Sequence, residues 1–437
     1  MRNSEEKEAS ASDANEKEAT KHDRTPSNKN KKQIRESVVY QAPLVGKVSF
    51  GIGATAGRKR QTLSVFMCSL YFIMPATLFC QFQTVRFLFH SYMAVPMLLY
   101  LGYIFLLARA PTSGTYFPWV RQYLDCWWRH ACDYFPIVLV KTANLPADQS
   151  YVVGYHPHGI ISVGAMAGFA TNGARIIDLS KKSNDKNVKN PTNDYEVSLE
   201  SNPQRRGFSS LFPGIDRRVV TLPVNFSTPF LREYILGFGC VTSDRETFRR
   251  TLAKNNGKGN ALVVVVGGAS ESMMVKHGCI QLILEKRRGF VREAIRAGAC
   301  LVPTLAFGET DIYHVIDGSA KSEFLKKLQS LIKKTTGIAM PLFRGRSLFF
   351  REVGLMPLRK PIVVVVGEPI APPKLKEGEV FDPIVDRNTQ EAQNEHGKLL
   401  IEWHEKYVKS LKQLYDTYKD EEWNKPGRAR QGSLVVR

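Results

Sequence analysis

The chain lacks several patterns that would have settled its class at once. No Cys-x-x-Cys pair occurs among its seven cysteines, whose number is odd and whose spacings are irregular. That excludes a zinc ribbon and a secreted disulfide framework, and points to a reducing, cytosol-facing setting. No His-Glu-x-x-His is present, and no third ligand stands near the one close histidine pair, so no metal is expected. Zinc-finger spacing, a basic zipper and an RNA-binding aromatic signature are also missing. The formal charge of +20 is therefore read as suiting anionic headgroups or a phosphate-rich co-substrate rather than nucleic acid. No apolar core directly follows the amino terminus, so no secretory signal is expected.

Long charge-free stretches are rare, and two of them are largely apolar. Thr62–Cys80 has 19 residues without a charge and Ser91–Ala108 has 18. A bilayer core of about 30 Å needs ~20 apolar residues. Each run carries a proline, Pro75 or Pro96. Two readings stay open: a hairpin that crosses twice, or a re-entrant wedge in one leaflet. Either puts both ends on one side. Arg58-Lys-Arg60 and Arg109 flank the pair while the turn is poor in basic residues, so both flanks and both termini are expected in the cytosol.

Four regions follow from composition. Residues 1–60 form a polar tail that cannot bury enough apolar area to order itself. Residues 61–109 are the hairpin. Residues 110–425 are the folded domain, interrupted at 180–206 by a polar insertion, and 426–437 are a second tail. The folded region opens with an aromatic helix in which Trp119, Tyr123, Trp127 and Trp128 alternate with Arg121 and Arg129, as at a membrane interface.

Val-rich runs at 261–267 and 361–367 read as strands buried on both faces. Helices are expected at 229–237, with Arg232 and Glu233 outward, and at 245–254, 290–297, 323–334 and 389–419. Strands alternate with helices, so the fold expected is α/β, a mostly parallel sheet flanked by helices.

One stretch stands apart: Tyr151-Val-Val-Gly-Tyr-His156-Pro-His158-Gly159, then a small-residue run through Phe169. This is strand, tight turn, helix. It leaves two histidines at the carboxyl end of a strand, where ligands bind in open α/β sheets. A neutral imidazole can take a proton near neutral pH without a large pKa shift. Pro157 fixes φ, and Gly159 lets the chain turn and a substrate approach. A surface turn or a metal pair would read the same from these residues alone.

Tyr155-His-Pro-His-Gly159 resembles the signature of the type-2 diacylglycerol acyltransferase family, which includes monoacylglycerol and wax-ester relatives. Further blocks resemble that family in the same order: Tyr134-Phe135-Pro136, Gly267-Gly268-Ala-Ser-Glu271, the segment Arg288 to Pro303, Gly354-Leu-Met-Pro357 and Val366-Gly-Glu-Pro369. The resemblance implies a glycerophosphate-acyltransferase-like fold with a membrane hairpin. It implies transfer of an acyl group from acyl-CoA, a co-substrate rather than a bound cofactor, to diacylglycerol at the endoplasmic reticulum and lipid droplets. Monoacylglycerol or a long-chain alcohol is the alternative acceptor. A non-catalytic lipid-binding protein on the same scaffold is the rival class, and homo-oligomerisation is left open.

The same resemblance makes His158 the expected base, with His156 second. Substrate contacts are expected from Pro157, Gly159, the Tyr134–Pro136 block, Gly267 and Gly268. Glycerophosphate acyltransferases use His-x-x-x-x-Asp, but here the fifth residue after His156 is Ile161 and after His158 is Val163. Glu271 is the expected orienting group, with a turn cap as its other reading. Arg288, Arg292 and Arg296 lie four apart on one helical stripe, which suits the phosphates of coenzyme A. His277, His314, His396 and His404 receive no role.

Overall fold

The computed structural model describes residues 59–66, 75–108, 110–113, 118–180, 206–276, 279–315, 343–347, 354–376, 378–386, 390–420 and 434–437, with 327 and 341. Nearly all of the amino-terminal tail, most of the polar insertion and all but one residue of the helix expected at 323–334 lie outside the described residues.

The apolar runs of the sequence become the middle of one sheet. Its eight strands are β1 Ile137–Lys141, β2 Ser150–His156, β3 Arg175–Asp178, β4 Asp216–Thr221, β5 Val241–Thr242, β6 Asn260–Val265, β7 Cys300–Phe307 and β8 Ile362–Val366. Their order across the sheet is β3-β1-β8-β7-β2-β6-β4-β5. β1, β2, β7 and β8 are buried at every residue, which is why they lack polar alternation. One face packs Tyr151, Val153, Tyr155 and Phe169; the other packs Val152, Leu262, Leu301 and Tyr407.

Every neighbouring pair is parallel except β8 with β7. That joint decides what the sheet brings together. The carboxyl ends of β7, β2, β6 and β4 share an edge with the amino ends of β1 and β8. Tyr134–Pro136, which precedes β1, and Leu355–Pro357, which precedes β8, thus meet the end of β2 that carries His156.

Helices cover both faces. Those used below are α1 Pro75–Leu88, α2 Ala94–Gly102, α3 Pro118–Tyr134, α4 Leu231–Gly237, α5 Arg245–Leu252, α6 Gly268–Ser272, α7 Gly289–Arg296 and α8 Glu395–Tyr418. The last begins later than Thr389 because Asn394 caps it: its side chain accepts from the Gly397 N–H at 2.7 Å. Sequence patterning misplaces two arginines. Arg121 of α3 is buried and donates to the carbonyls of Ala170 and Phe169 instead of facing headgroups. Arg232 is buried too, paired with Glu233 at 2.8 Å. The chain end expected as a tail pairs Val435–Val436 with Gln281–Leu282.

α1 and α2 follow one another through a short turn, and this region exposes Leu78, Phe79, Phe82, Phe89, Leu98 and Leu99. Among the described residues no helix is long and apolar enough to cross a membrane. α2 is tied to the segment that leads into α4. Tyr100 stacks on Phe230 at 5.5 Å, donates to Glu233 at 2.5 Å and accepts from the Phe230 N–H.

Candidate active site

β2 ends at His156 between β6 and β7, and the chain then turns through Pro157, His158 and Gly159; the His156–Pro157 bond is cis. The two histidines part company here. β2 alternates faces, so His156 points to the side where α8 packs. It is 1% exposed. Its Nε2 lies 2.9 Å from the Tyr407 hydroxyl, which itself lies 3.1 Å from the Gly154 carbonyl. A carbonyl only accepts, so the hydroxyl proton goes to Gly154 and His156 Nε2–H donates to the hydroxyl oxygen. Burial, with His404 nearby, pushes the His156 pKa down to about 3. His156 is a neutral, locked ring.

His158 is half-buried and held differently. Its Nδ1 lies 3.1 Å from the Gly159 carbonyl, so Nδ1 carries the proton and Nε2 keeps the lone pair. Burial lowers its pKa, which keeps that lone pair available. The group that sets the tautomer is thus a backbone carbonyl one residue away, and Glu271 does not touch the ring.

Glu271 instead holds the turn. It sits in α6, just past the end of β6. Its Oε1 accepts from the His158 backbone N–H at 2.7 Å and its Oε2 from Ile283 N–H at 3.3 Å. Gly267 is needed for this, because a Cβ there would overlap the Glu271 carboxylate. Gly268 takes φ +59°, the left-handed turn into α6.

A second buried carboxylate, Glu309, went unnoticed in the sequence. It follows β7 as Glu271 follows β6. Oε1 accepts from Val163 N–H at 2.7 Å; Oε2 accepts from Gly164 N–H at 2.9 Å and from the Tyr155 hydroxyl at 2.7 Å. Gly159, at φ +60°, packs on it so closely that a Cβ would fall 2.7 Å from its Cγ. Burial raises both carboxyls to about 7, against the donors that favour the ionised form. Two acids therefore clamp the histidine turn, one at His158 and one at the helical turn that follows.

The remaining expected site residues divide. Tyr134 and Phe135 are buried; the Tyr134 hydroxyl donates to the Pro357 carbonyl at 2.9 Å and the Arg359 guanidinium lies 4.9 Å over its ring. With Pro136 they tie β1 to the approach to β8. The arginine stripe of α7 is not a single rim. Arg292 pairs with Glu293 at 2.9 Å, and Arg296 donates to the Phe381 carbonyl at 3.0 Å and reaches Asp382 at 3.4 Å. Glu293, between them on the helix, draws both away. Arg288 is separate and lines a cleft beside α8. His404, given no role above, is buried with Nε2 3.0 Å from the Leu284 carbonyl.

Gly154 offers a direct test of the His156 anchor. A Cβ there would overlap the Tyr407 hydroxyl. Gly154→Ala should cost about 1–3 kcal/mol of stability. Adding Tyr407→Phe should restore part of that loss in thermal unfolding; no recovery would show that the hydroxyl is not the obstacle.

The arrangement, a lone pair at the carboxyl edge of three parallel strands with its tautomer and backbone fixed, suits proton abstraction from a hydroxyl. Comparison with known proteins bears on the family. The family model described as diacylglycerol acyltransferase matches residues 86–188 and 202–426. Diacylglycerol O-acyltransferase 2A of Umbelopsis ramanniana is 34% identical over 367 residues, covering 83% of this chain and 87% of its own. Diacylglycerol O-acyltransferase 2 of Dictyostelium discoideum is 32% identical, covering 83% and 92%. The Bos taurus protein named diacylglycerol O-acyltransferase 2 is 38% identical, covering 69% of each chain. No solved structure matches. With the matched regions running through the whole sheet and both clamping acids, the chain belongs to the diacylglycerol acyltransferase family.

Proposed function

We propose that the protein transfers an acyl group from acyl-CoA to diacylglycerol, yielding triacylglycerol and free coenzyme A. The observation that carries this is the His158 Nε2 lone pair, with Nδ1–H spent on Gly159 and the backbone pinned by Glu271. In the reaction, Nε2 takes the acceptor's hydroxyl proton as that oxygen attacks the thioester carbonyl. The carbon–sulfur bond then breaks. The departing thiolate takes the proton back from the imidazolium, and His158 is ready again. A positioned base contributes ~10²–10⁴-fold to such a step. His156 acts from behind, fixing the strand end through Tyr407.

Diacylglycerol dissolves in membranes, so the site must work at a lipid surface. The exposed apolar faces of α1 and α2, with Trp119, Tyr123 and Trp127 of α3, supply the contact. A short hairpin entering from one side suits both a bilayer leaflet and the monolayer of a lipid droplet. We place the protein on the endoplasmic reticulum and on droplets, with the sheet in the cytosol.

The test is a membrane fraction given labelled acyl-CoA with monoacylglycerol, diacylglycerol or a long-chain alcohol in parallel. Label is expected in triacylglycerol. Label confined to wax ester, or to diacylglycerol made from the monoacyl acceptor, would remove the acceptor assignment. No transfer to any of the three would remove the enzyme.

A further inference from the structure

Between α8 and the turn that leads into α7 lies a cleft of about 630 Å³. That is within the usual range for small-molecule sites, about 300–1,000 Å³. Four cations reach it: Lys286 and Arg288 from the turn, Lys409 and Lys412 from α8. Glu285, Glu405 and Asp416 share the rim, so cations outnumber carboxylates by one; Asp416 is also paired with Lys419 at 2.6 Å. Arg288 is incompletely satisfied. Its Nη1 donates to the Gln390 carbonyl at 3.3 Å, while its Nε is buried with no hydrogen-bond partner among the described residues. A buried donor left unmade costs free energy that a ligand oxygen would return.

The cleft is connected to the histidine turn through both of its walls. Ile283 is held by Glu271, the acid that also holds the His158 backbone, and the lining residues Glu285, Lys286 and Arg288 follow directly. On the other wall His404 lines the cleft, and Tyr407, one helical turn on, holds His156.

We propose that this cleft seats the phosphate-bearing nucleotide end of acyl-CoA. Its long arm then runs past the 283–285 segment and delivers the thioester to His158. The inference rests on the acyl-transfer reading above and moves the phosphate site off the α7 stripe. Arg288 supplies a forked donor set and the two α8 lysines mobile point charges.

Lys409 and Lys412 are exposed, so reversing them leaves the core intact. The experiment uses the full chain in lipid nanodiscs, with Lys409→Glu/Lys412→Glu against a charge-matched control, Lys398→Glu/Lys406→Glu, on the same helix away from the cleft. The cleft variant is expected to raise KM for acyl-CoA about tenfold or more, with kcat and the diacylglycerol KM little changed. Adenosine 3′,5′-bisphosphate should compete with acyl-CoA, and competition should weaken by a similar factor in the cleft variant alone. An unchanged acyl-CoA KM, or an equal rise in the control, overturns the proposal. Calorimetric titration with coenzyme A keeps this separate from the reaction itself. If no acceptor is acylated, transfer fails as a reading, and coenzyme A binding that ignores the reversal still sinks the cleft.

Discussion

His158→Ala should lower turnover by about 10²–10⁴-fold while the protein keeps its folded state. Its imidazole is half-buried, and among the described residues its one ring hydrogen bond is to the Gly159 carbonyl, a local contact. The backbone N–H that Glu271 holds belongs to any residue at this position, so alanine keeps the clamp. KM values for both substrates should move little, because a base acts in the transition state rather than in binding. The contrast is His156→Ala, which empties a fully buried site and removes the donor to the Tyr407 hydroxyl oxygen, and so should register mainly as lost stability. Paired measurement of kcat and thermal unfolding separates the two. Full turnover in His158→Ala would transfer the base role elsewhere, and His156, with both ring faces enclosed, is poorly placed to receive it.

Glu309→Ala should damage stability and turnover together. It leaves two backbone N–H groups and the Tyr155 hydroxyl without their acceptor in the core. Each buried unmet donor costs about 1–3 kcal/mol, so a loss of about 3 kcal/mol or more is expected. The pH dependence has a definite sign. The folded-state pKa of Glu309 is raised, from an ordinary 4.5 to about 7. The folded protein therefore holds this proton over a window in which the unfolded chain has lost it. The stability this supplies is complete below about 4.5 and is lost as pH rises through about 7. The variant has no such term, so its deficit against the native protein should be larger at pH ~5 than at pH ~8. Denaturant unfolding at the two pH values reads it directly; a deficit that grows toward pH ~8 would mean that Glu309 is held as a carboxylate.

How much of this was legible in the sequence depended on range. β2, β6 and β8 are apolar runs, and each appears within a residue or two of its expected place. The histidine turn was visible because a His-Pro-His-Gly cluster after an apolar strand is a local pattern. Partners were the difficulty. Glu271 was noticed, but its hydrogen bond to a backbone 113 residues away is not written in any spacing. Glu309 is 146 residues from the N–H it holds. It did have a local sign, an acid two residues past the end of a wholly apolar strand, set off by Gly308. Tyr407 packs among the apolar residues of α8, as helical spacing with Leu400, Leu411 and Leu414 requires; its hydroxyl, 251 residues from His156, carries the second meaning. The arginines show the converse. Periodicity groups Arg288, Arg292 and Arg296 by spacing alone, and it could not say that Glu293 and the segment near Phe381 would occupy two of them.

The lone antiparallel joint has a consequence for biosynthesis. β8 lies between β1 and β7, yet more than two hundred residues separate it from β1 in the chain. Until Ile362–Val366 has left the ribosome, β1 and β7 have no neighbour on their facing sides, and both are apolar strands with open backbone groups. Each nascent molecule must therefore keep the β1 flank from pairing wrongly while more than two hundred residues are translated, and the β7 flank as well once Phe307 has been made. This is the circumstance in which chaperones decide yield.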